Sequence, residues 1–199
     1  MFAQTPTMQK GIILFDVKDF LYQGQDKSNP DVELINRKQM ETLNLINSKF
    51  MMERQRRLES NIPIPVVELF LPTGDGYYLL CTPDLSSILD ISHCLMAILE
   101  SSGINAYCVA HIGDVSILTD LSGRENATGF ELGFASRLQS VSKETGKLVL
   151  SKNMVNIWTE NDYFDLLDEW MSGIAKDDVE YQWKHSIPKD FENACRRFL

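Results

Sequence analysis

The chain has 199 residues, 44% of them hydrophobic, which suits one domain with a sizeable core. A net charge of −9 at pH 7 argues against a nucleic-acid backbone as partner, although a metal ion can bridge acidic side chains and nucleotide phosphates. No apolar run approaches the roughly 18 residues of a membrane span, and the start, MFAQTPTMQKG, lacks the basic and apolar regions of a secretion signal, so the expectation is a cytoplasmic protein with no membrane partner.

KGIILFDVKDF opens with an apolar run, Ile12 to Phe15, closed by Asp16: a buried strand ending in an acid. QGQDKSNPD is a loop by its Gly, Asp, Ser, Asn and Pro. A long helix is predicted from Asp31, a candidate N-cap, to Glu59. Val32, Ile35, Met40, Leu43, Ile46, Phe50 and Met51 supply its helical spacing. The methionines at 40, 51 and 52 read as core or interface packing. The basic run Arg54-Gln55-Arg56-Arg57 reads as a solvated helix end. IPIPVVELFLPTGDGYYLLCT follows as strand, turn and strand, with Pro63 and Pro65 marking an edge or a strand entrance.

Pro83 and Asp84 open a second helix over 84–102, stopped at Gly103. INAYCVAHIGDVSILTD reads as a strand pair around Gly113, and LSGREN as a polar loop. A third helix is predicted over 129–142, with Phe134, Ala135, Leu138 and Val141 facing inward. GKLVLS is a strand, KNMVNIWTEN a short helix, and YFDLLDEW and VEYQWKH further strands. One domain over residues 10–187 is expected, with 188–199 as a helical tail. Cys81, Cys94, Cys108 and Cys195 are scattered; three lie in apolar surroundings and read as buried thiols.

This order predicts an α/β fold of the α+β sandwich kind. It has a ferredoxin-like βαββαβ core, a mixed sheet covered by helices and a small C-terminal α/β extension. In such a sheet the first strand lies beside the hairpin strands, and Asp16 comes close to Asp75 of the Gly74-Asp75-Gly76 turn. Taken alone, that turn is an ordinary hairpin. Paired with Asp16 it offers the two carboxylates a hard divalent cation takes before completing its shell with water and phosphate. The Val17 carbonyl is a candidate third ligand.

ILFDVKDF (13–20) and TGDGYYLL (73–80) resemble the two metal motifs of class III nucleotidyl cyclases. VAHIGDV (109–115), GRENATGFELGFASRL (123–138) and GKLVLS resemble the segments that follow them, in the same order. The resemblance implies a homodimer with active sites at the interface. It implies Mg²⁺ or Mn²⁺ on Asp16 and Asp75, and Arg137 contacting the triphosphate across the interface.

The pattern departs from purine cyclases at three places. Leu71 stands where adenylyl cyclases carry a base-reading Lys. Asn126 replaces their base-reading Asp, and Gly133 replaces the ribose-orienting Asn. Leu71 and Asn126 are therefore expected to shape the base pocket, with Phe50 as a further stacking surface. An amide both donates and accepts and can read a pyrimidine edge. The chain looks like the cytidylate and uridylate cyclases of Pycsar antiphage defence, which implies CTP or UTP as substrate and a separate effector that senses the product. The alternative is a degenerate cyclase-like domain that binds a nucleotide or partner without turnover. A phosphate-contacting Lys is unplaced between Lys176 and Lys184. His111 reads as a satisfied core or strand-end histidine and His93 as no metal ligand. Trp158, Trp170 and Trp183 read as core or interface residues.

Overall fold

The computed structural model describes residues 7–18, 31–64, 66–142, 145–151, 153–154, 156, 171–176 and 179–183. Its elements run in chain order β1 (Thr7–Val17), α1 (Val32–Glu59), β2 (Val67–Pro72), β3 (Gly76–Cys81), α2 (Leu85–Ser101), β4 (Ala106–Thr119), β5 (Glu125–Thr128), α3 (Phe130–Ser142), β6 (Leu148–Ser151), β7 (Met171–Lys176) and β8 (Val179–Trp183). The sheet order is β2-β3-β1-β4-β6-β8-β7, with β5 paired to β4. The first four strands with α1 and α2 make the expected βαββαβ core. The parallel pairing of β4 with β6 makes the sheet mixed.

Strand alternation divides the core into two layers. Ile13, Phe15 and Val17 of β1 face α1 and α2, in a cluster with Ile46, Phe50, Ile88, Ile91 and Leu95. Ile12 and Leu14 face α3, in a second cluster with Leu80, Val109, Ala135 and Leu138. Both long helices start where the sequence places them. Asp31 accepts the Leu34 N–H at 3.0 Å and Asp84 the Ser87 N–H at 2.7 Å, two N-caps of the ordinary kind. No described helix is long and apolar enough to cross a membrane.

Three expectations are corrected. Gly113 does not divide a strand pair: β4 runs unbroken through it, in register with Lys10 of β1. The hairpin partner is β5, which begins inside what reads as a polar loop and runs on to Thr128. The glycine is there for room, since a Cβ at 113 would stand 2.5 Å from Glu131 Cγ. On α1, Val32, Met40 and Met51 are exposed rather than inward, and only Ile35, Ile46 and Phe50 of the apolar set are buried. The basic end of α1 is not fully solvated. Arg57 is 4% exposed and bonds Asp90 of α2 at 2.6 and 2.8 Å and Glu53 at 3.0 Å. Packing against α2 takes it almost wholly out of water, and it is matched to two carboxylates there.

Cys81, Cys94 and Cys108 are buried free thiols, each pushed up to about 12 by burial and hence unreactive. Asn153, Met154 and Asn156 are helical, within the predicted short helix. β7 was not anticipated, while β8 falls inside VEYQWKH. YFDLLDEW, the 188–199 tail, Cys195, Trp158, Trp170 and Lys184 lie outside the described residues, as do the side chains of Val141, Lys176 and Trp183.

Candidate active site

Asp16 is the fifth residue after Gly11 in a strand that points alternate side chains to α3, and it falls on that face with Ile12 and Leu14. β1 and β3 pair antiparallel with Asp16 opposite Gly76. The β2–β3 turn therefore lies beside the end of β1. The Val17 N–H donates to the Asp75 carbonyl at 3.0 Å, and Thr73 N–H to the Gly76 carbonyl at 3.0 Å. The Gln39 amide of α1 donates to the Gly74 carbonyl and holds the turn from outside.

The two glycines around Asp75 serve different ends. Gly74 has φ +102°, where a side chain is strained. Gly76 lies so close to β1 that a Cβ would stand 1.8 Å from the Phe15 carbonyl oxygen. The motif thus brings the turn against β1, and the Asp16 and Asp75 side chains come within hydrogen-bonding reach of each other.

Two ionised carboxylates have no proton to share, so their closeness costs energy until a proton or a cation joins them. Burial pushes the Asp16 carboxyl up to about 6. Within that net value a hydrogen bond from Gln139 of α3 pulls it down, and the Asp75 carboxylate adds to the upward push of burial. Gln139 Nε2 donates to Asp16 Oδ2. Asp16 Oδ1 is buried and takes no hydrogen bond from any described residue. A buried anionic oxygen left without a donor is a costly arrangement that a cation would relieve. Among the described residues no three His, Cys, Asp or Glu side chains cluster as metal ligands. The donor set is two carboxylates, which suits Mg²⁺ or Mn²⁺ with water and phosphate oxygens and not a zinc cage.

The other expected site residues stand apart from the acid pair. Arg137 of α3 is exposed and lies 4.9 Å over the Phe130 ring. Gln139, two positions on and roughly 200° round the helix, is the side chain of α3 that reaches Asp16. Leu71 of β2 is half-buried against the α3-side cluster. Asn126 of β5 accepts the Ala127 N–H at 2.8 Å. Strands β2 and β5 touch, so these two residues stand on neighbouring elements. Phe50 is not a stacking surface for this site. It is buried on the α1 and α2 side, edge-on to Phe70 at 6.3 Å. Around Gly133 a Cβ would meet no atom within 4 Å.

Near the start of α3, His111 of β4 is 2% exposed. Its Nδ1 lies 2.8 Å from Ser151 Oγ and its Nε2 2.6 Å from Glu131 Oε2. Ser151 Oγ also accepts the Met154 N–H at 3.3 Å. The Glu131 carboxylate accepts, so Nε2 carries the proton, and in the neutral ring Nδ1 then accepts the Ser151 hydroxyl proton. Tyr78 OH donates to the Leu132 carbonyl at 3.0 Å. Sequence reading missed Gln139, Gln39 and Glu131. Polar residues on helices carry no signal of their tertiary partner, and only the fold reveals these three.

A cavity of about 640 Å³ between α1 and α2, lined by Lys49, Glu53, Arg56, Arg57 and His93, lies on the other side of the sheet from Asp16. Lys49 already bonds Ser101 and Ser102, and Arg56 bonds Glu53.

No protein-family model and no curated protein matches the sequence. Solved structures do match. The dimeric guanylyl cyclase domain of the RhoGC fusion protein from the aquatic fungus Blastocladiella emersonii aligns at 16% identity and TM-score 0.57, over 90% of this chain and 97% of that one. The guanylate cyclase domain of RhGC from Catenaria anguillulae, solved in complex with GTP, aligns at 16% identity and TM-score 0.56, over 89% and 97%. An adenylate/guanylate cyclase/hydrolase from Silicibacter pomeroyi aligns at 16% identity and TM-score 0.58, over 90% and 98%. With its βαββαβ core, mixed sheet and helices on both faces, this chain has the fold of the class III nucleotidyl cyclase domains.

Proposed function

We propose that the chain is a divalent-metal-dependent nucleotidyl cyclase. It converts a nucleoside triphosphate, by preference CTP or UTP, to the 3′,5′-cyclic monophosphate and pyrophosphate. The observation that carries this reading is the acid pair. Asp16 and Asp75 meet at the end of β1 and the β2–β3 turn of a cyclase fold, and Asp16 Oδ1 is buried with no donor.

Asp16 and Asp75 would hold Mg²⁺ or Mn²⁺, with the Val17 carbonyl as a third protein ligand. The bound cation supplies a lowered pKa at the ribose 3′-hydroxyl and neutralises triphosphate charge. The 3′-oxygen attacks the α-phosphorus, the bond to the β-phosphate breaks, and the hydroxyl proton passes to solvent. The chain's own contribution is to fix two anionic oxygens where the triphosphate docks, and to keep the site on rigid strands.

Arg137 is exposed and stacked on the exposed Phe130, while Gln139 is the α3 side chain bonded to Asp16. An exposed guanidinium there supports a homodimer in which Arg137 stabilises phosphate charge in the partner's site. Leu121, at the β4–β5 turn, is also fully exposed and fits a face covered by a second copy. Leu71 offers no hydrogen bond to a purine ring. Asn126, with its oxygen on the Ala127 N–H, keeps its amide hydrogens to donate to a pyrimidine acceptor such as O2. A cyclic pyrimidine nucleotide would serve as second messenger in antiviral signalling, read by a separate effector.

A second reading, a nucleotide-binding module without turnover, is favoured by Gly133. Open space there replaces the side chain that orients ribose in the cyclases the sequence resembles. Incubating the protein with each of the four triphosphates and Mn²⁺, then separating the products by chromatography, decides between the two. The expected result is a cyclic pyrimidine nucleotide from the wild type and none from Asp75→Ala. An empty trace from both, with nucleotide still bound by equilibrium dialysis, establishes the module instead.

A further inference from the structure

Gln139 stands in neither metal motif, yet its amide is bound to a carboxylate of the acid pair. Its position is closely determined. α3 packs on the sheet through Ala135 and Leu138, which are 0% and 1% exposed. The first turns of α3 are tied to β4 through Glu131 and His111, and to β3 through the Leu132 carbonyl and Tyr78. A donor on such an element has little freedom, and neither has the carboxylate it grips. A lone Asp side chain rotates about two bonds and presents either oxygen. Asp16 has Oδ2 occupied by the amide and Oδ1 buried without a partner beside Asp75.

We propose that Gln139 is a positioning residue of the cation site: by holding Asp16 Oδ2 it presents Oδ1 as a single-oxygen ligand in fixed register with Asp75. The inference rests on the cation reading above. Hydrogen-bond partners of metal-binding carboxylates are commonly worth 10–100-fold in metal affinity. Gln39 holds the turn that carries Asp75, at the Gly74 carbonyl.

The test is a Mn²⁺ titration of the full chain without nucleotide, followed by the electron paramagnetic resonance of free Mn²⁺. The proteins are the wild type, Gln139→Met, Gln139→Leu and Asp75→Asn. Gln139→Met keeps the length and packing of the side chain and removes the donor, so it decides the matter if the leucine variant folds poorly. The expected result is a loss of about 10–100-fold in Mn²⁺ affinity for both Gln139 variants, with α3 intact by hydrogen exchange, and a larger loss for Asp75→Asn. If Gln139→Met binds Mn²⁺ as the wild type does while Asp75→Asn does not, the positioning role is overturned and the cation site stands. If the wild type and Asp75→Asn bind alike, the cation site itself is refuted, and this inference with it.

Discussion

Along β1, Ile13, Phe15 and Val17 enter one layer of the core, and Ile12, Leu14 and Asp16 enter the other. Among the described residues the first layer, under α1 and α2, gathers 22 buried residues, and the second, under α3, gathers 8. The α1–α2 layer is held by apolar area, with the buried guanidinium of Arg57 matched at the rim. Among the described residues the α3 layer is the smaller of the two and carries more polar ties to the sheet: Glu131 to His111, the Leu132 carbonyl to Tyr78, Gln139 to Asp16. Stability is concentrated on one side of the sheet and site geometry on the other, so the two should be separable by substitution.

The largest effect is expected on the apolar side. Ile91 of α2 is 0% exposed and sits in the larger cluster. Ile91→Ala should cost about 2–5 kcal/mol, measured by urea unfolding. Mn²⁺ affinity of the folded fraction should stay at the wild-type value, because Ile91 faces away from Asp16. A parallel loss of affinity would break the division between the layers.

A smaller loss is expected at the head of α3. His111→Ala leaves a fully buried Ser151 hydroxyl and the Glu131 carboxylate without their partner, a cost of about 1–3 kcal/mol. Amide hydrogen exchange should quicken in α3 and not in α2. Its pH dependence sharpens the point. Burial holds His111 below its usual value near 6.5, with Glu131 opposing the shift. A base depressed on folding is neutral in the native chain, so its contribution is complete above about pH 6.5 and lost as pH falls. Protection of α3 should decline on acidification in the wild type and lack that step in His111→Ala. Equal acceleration of exchange in α2 would show one cooperative unit instead of two layers.

The fold was legible where local chemistry and burial agree. Asp31, Asp84 and the spacing of Ile88, Ile91 and Leu95 announce their helices, and the Gly-Asp-Gly turn announces the acid pair. Gly113 misled, because a glycine inside a strand looks the same whether the chain turns or a neighbour needs the room. Arg57 misled because three basic residues at a helix end read as solvated until α2 brings Asp90 alongside. Gln139 left no trace at all: its meaning lies in a contact 123 residues away along the chain.

The smallest expected effect has the opposite sign from the others. In the metal-free chain Asp16 is held up at about 6, by burial first and with the Asp75 carboxylate adding to it against the pull of Gln139. An acid raised on folding favours the native state in its protonated form. Its contribution is present below the unfolded value of 3.8 and is lost as pH rises toward about 6. At neutral pH the wild type therefore carries an electrostatic penalty that Asp16→Asn removes, since an amide has no charge to set against Asp75. After discounting for solvent screening at a half-exposed group, the gain is about 1 kcal/mol, or roughly 2–4 °C in Tm for a chain of this size. The gain should vanish near pH 4, where Asp16 is protonated in the wild type as well. Added Mn²⁺ should raise the wild-type melting temperature and leave that of Asp16→Asn unchanged, reversing their order. A variant less stable than the wild type at pH 7.5 without metal would mean that Asp16 is a structural anchor of α3, and the layer built for the site would then be contributing to stability after all.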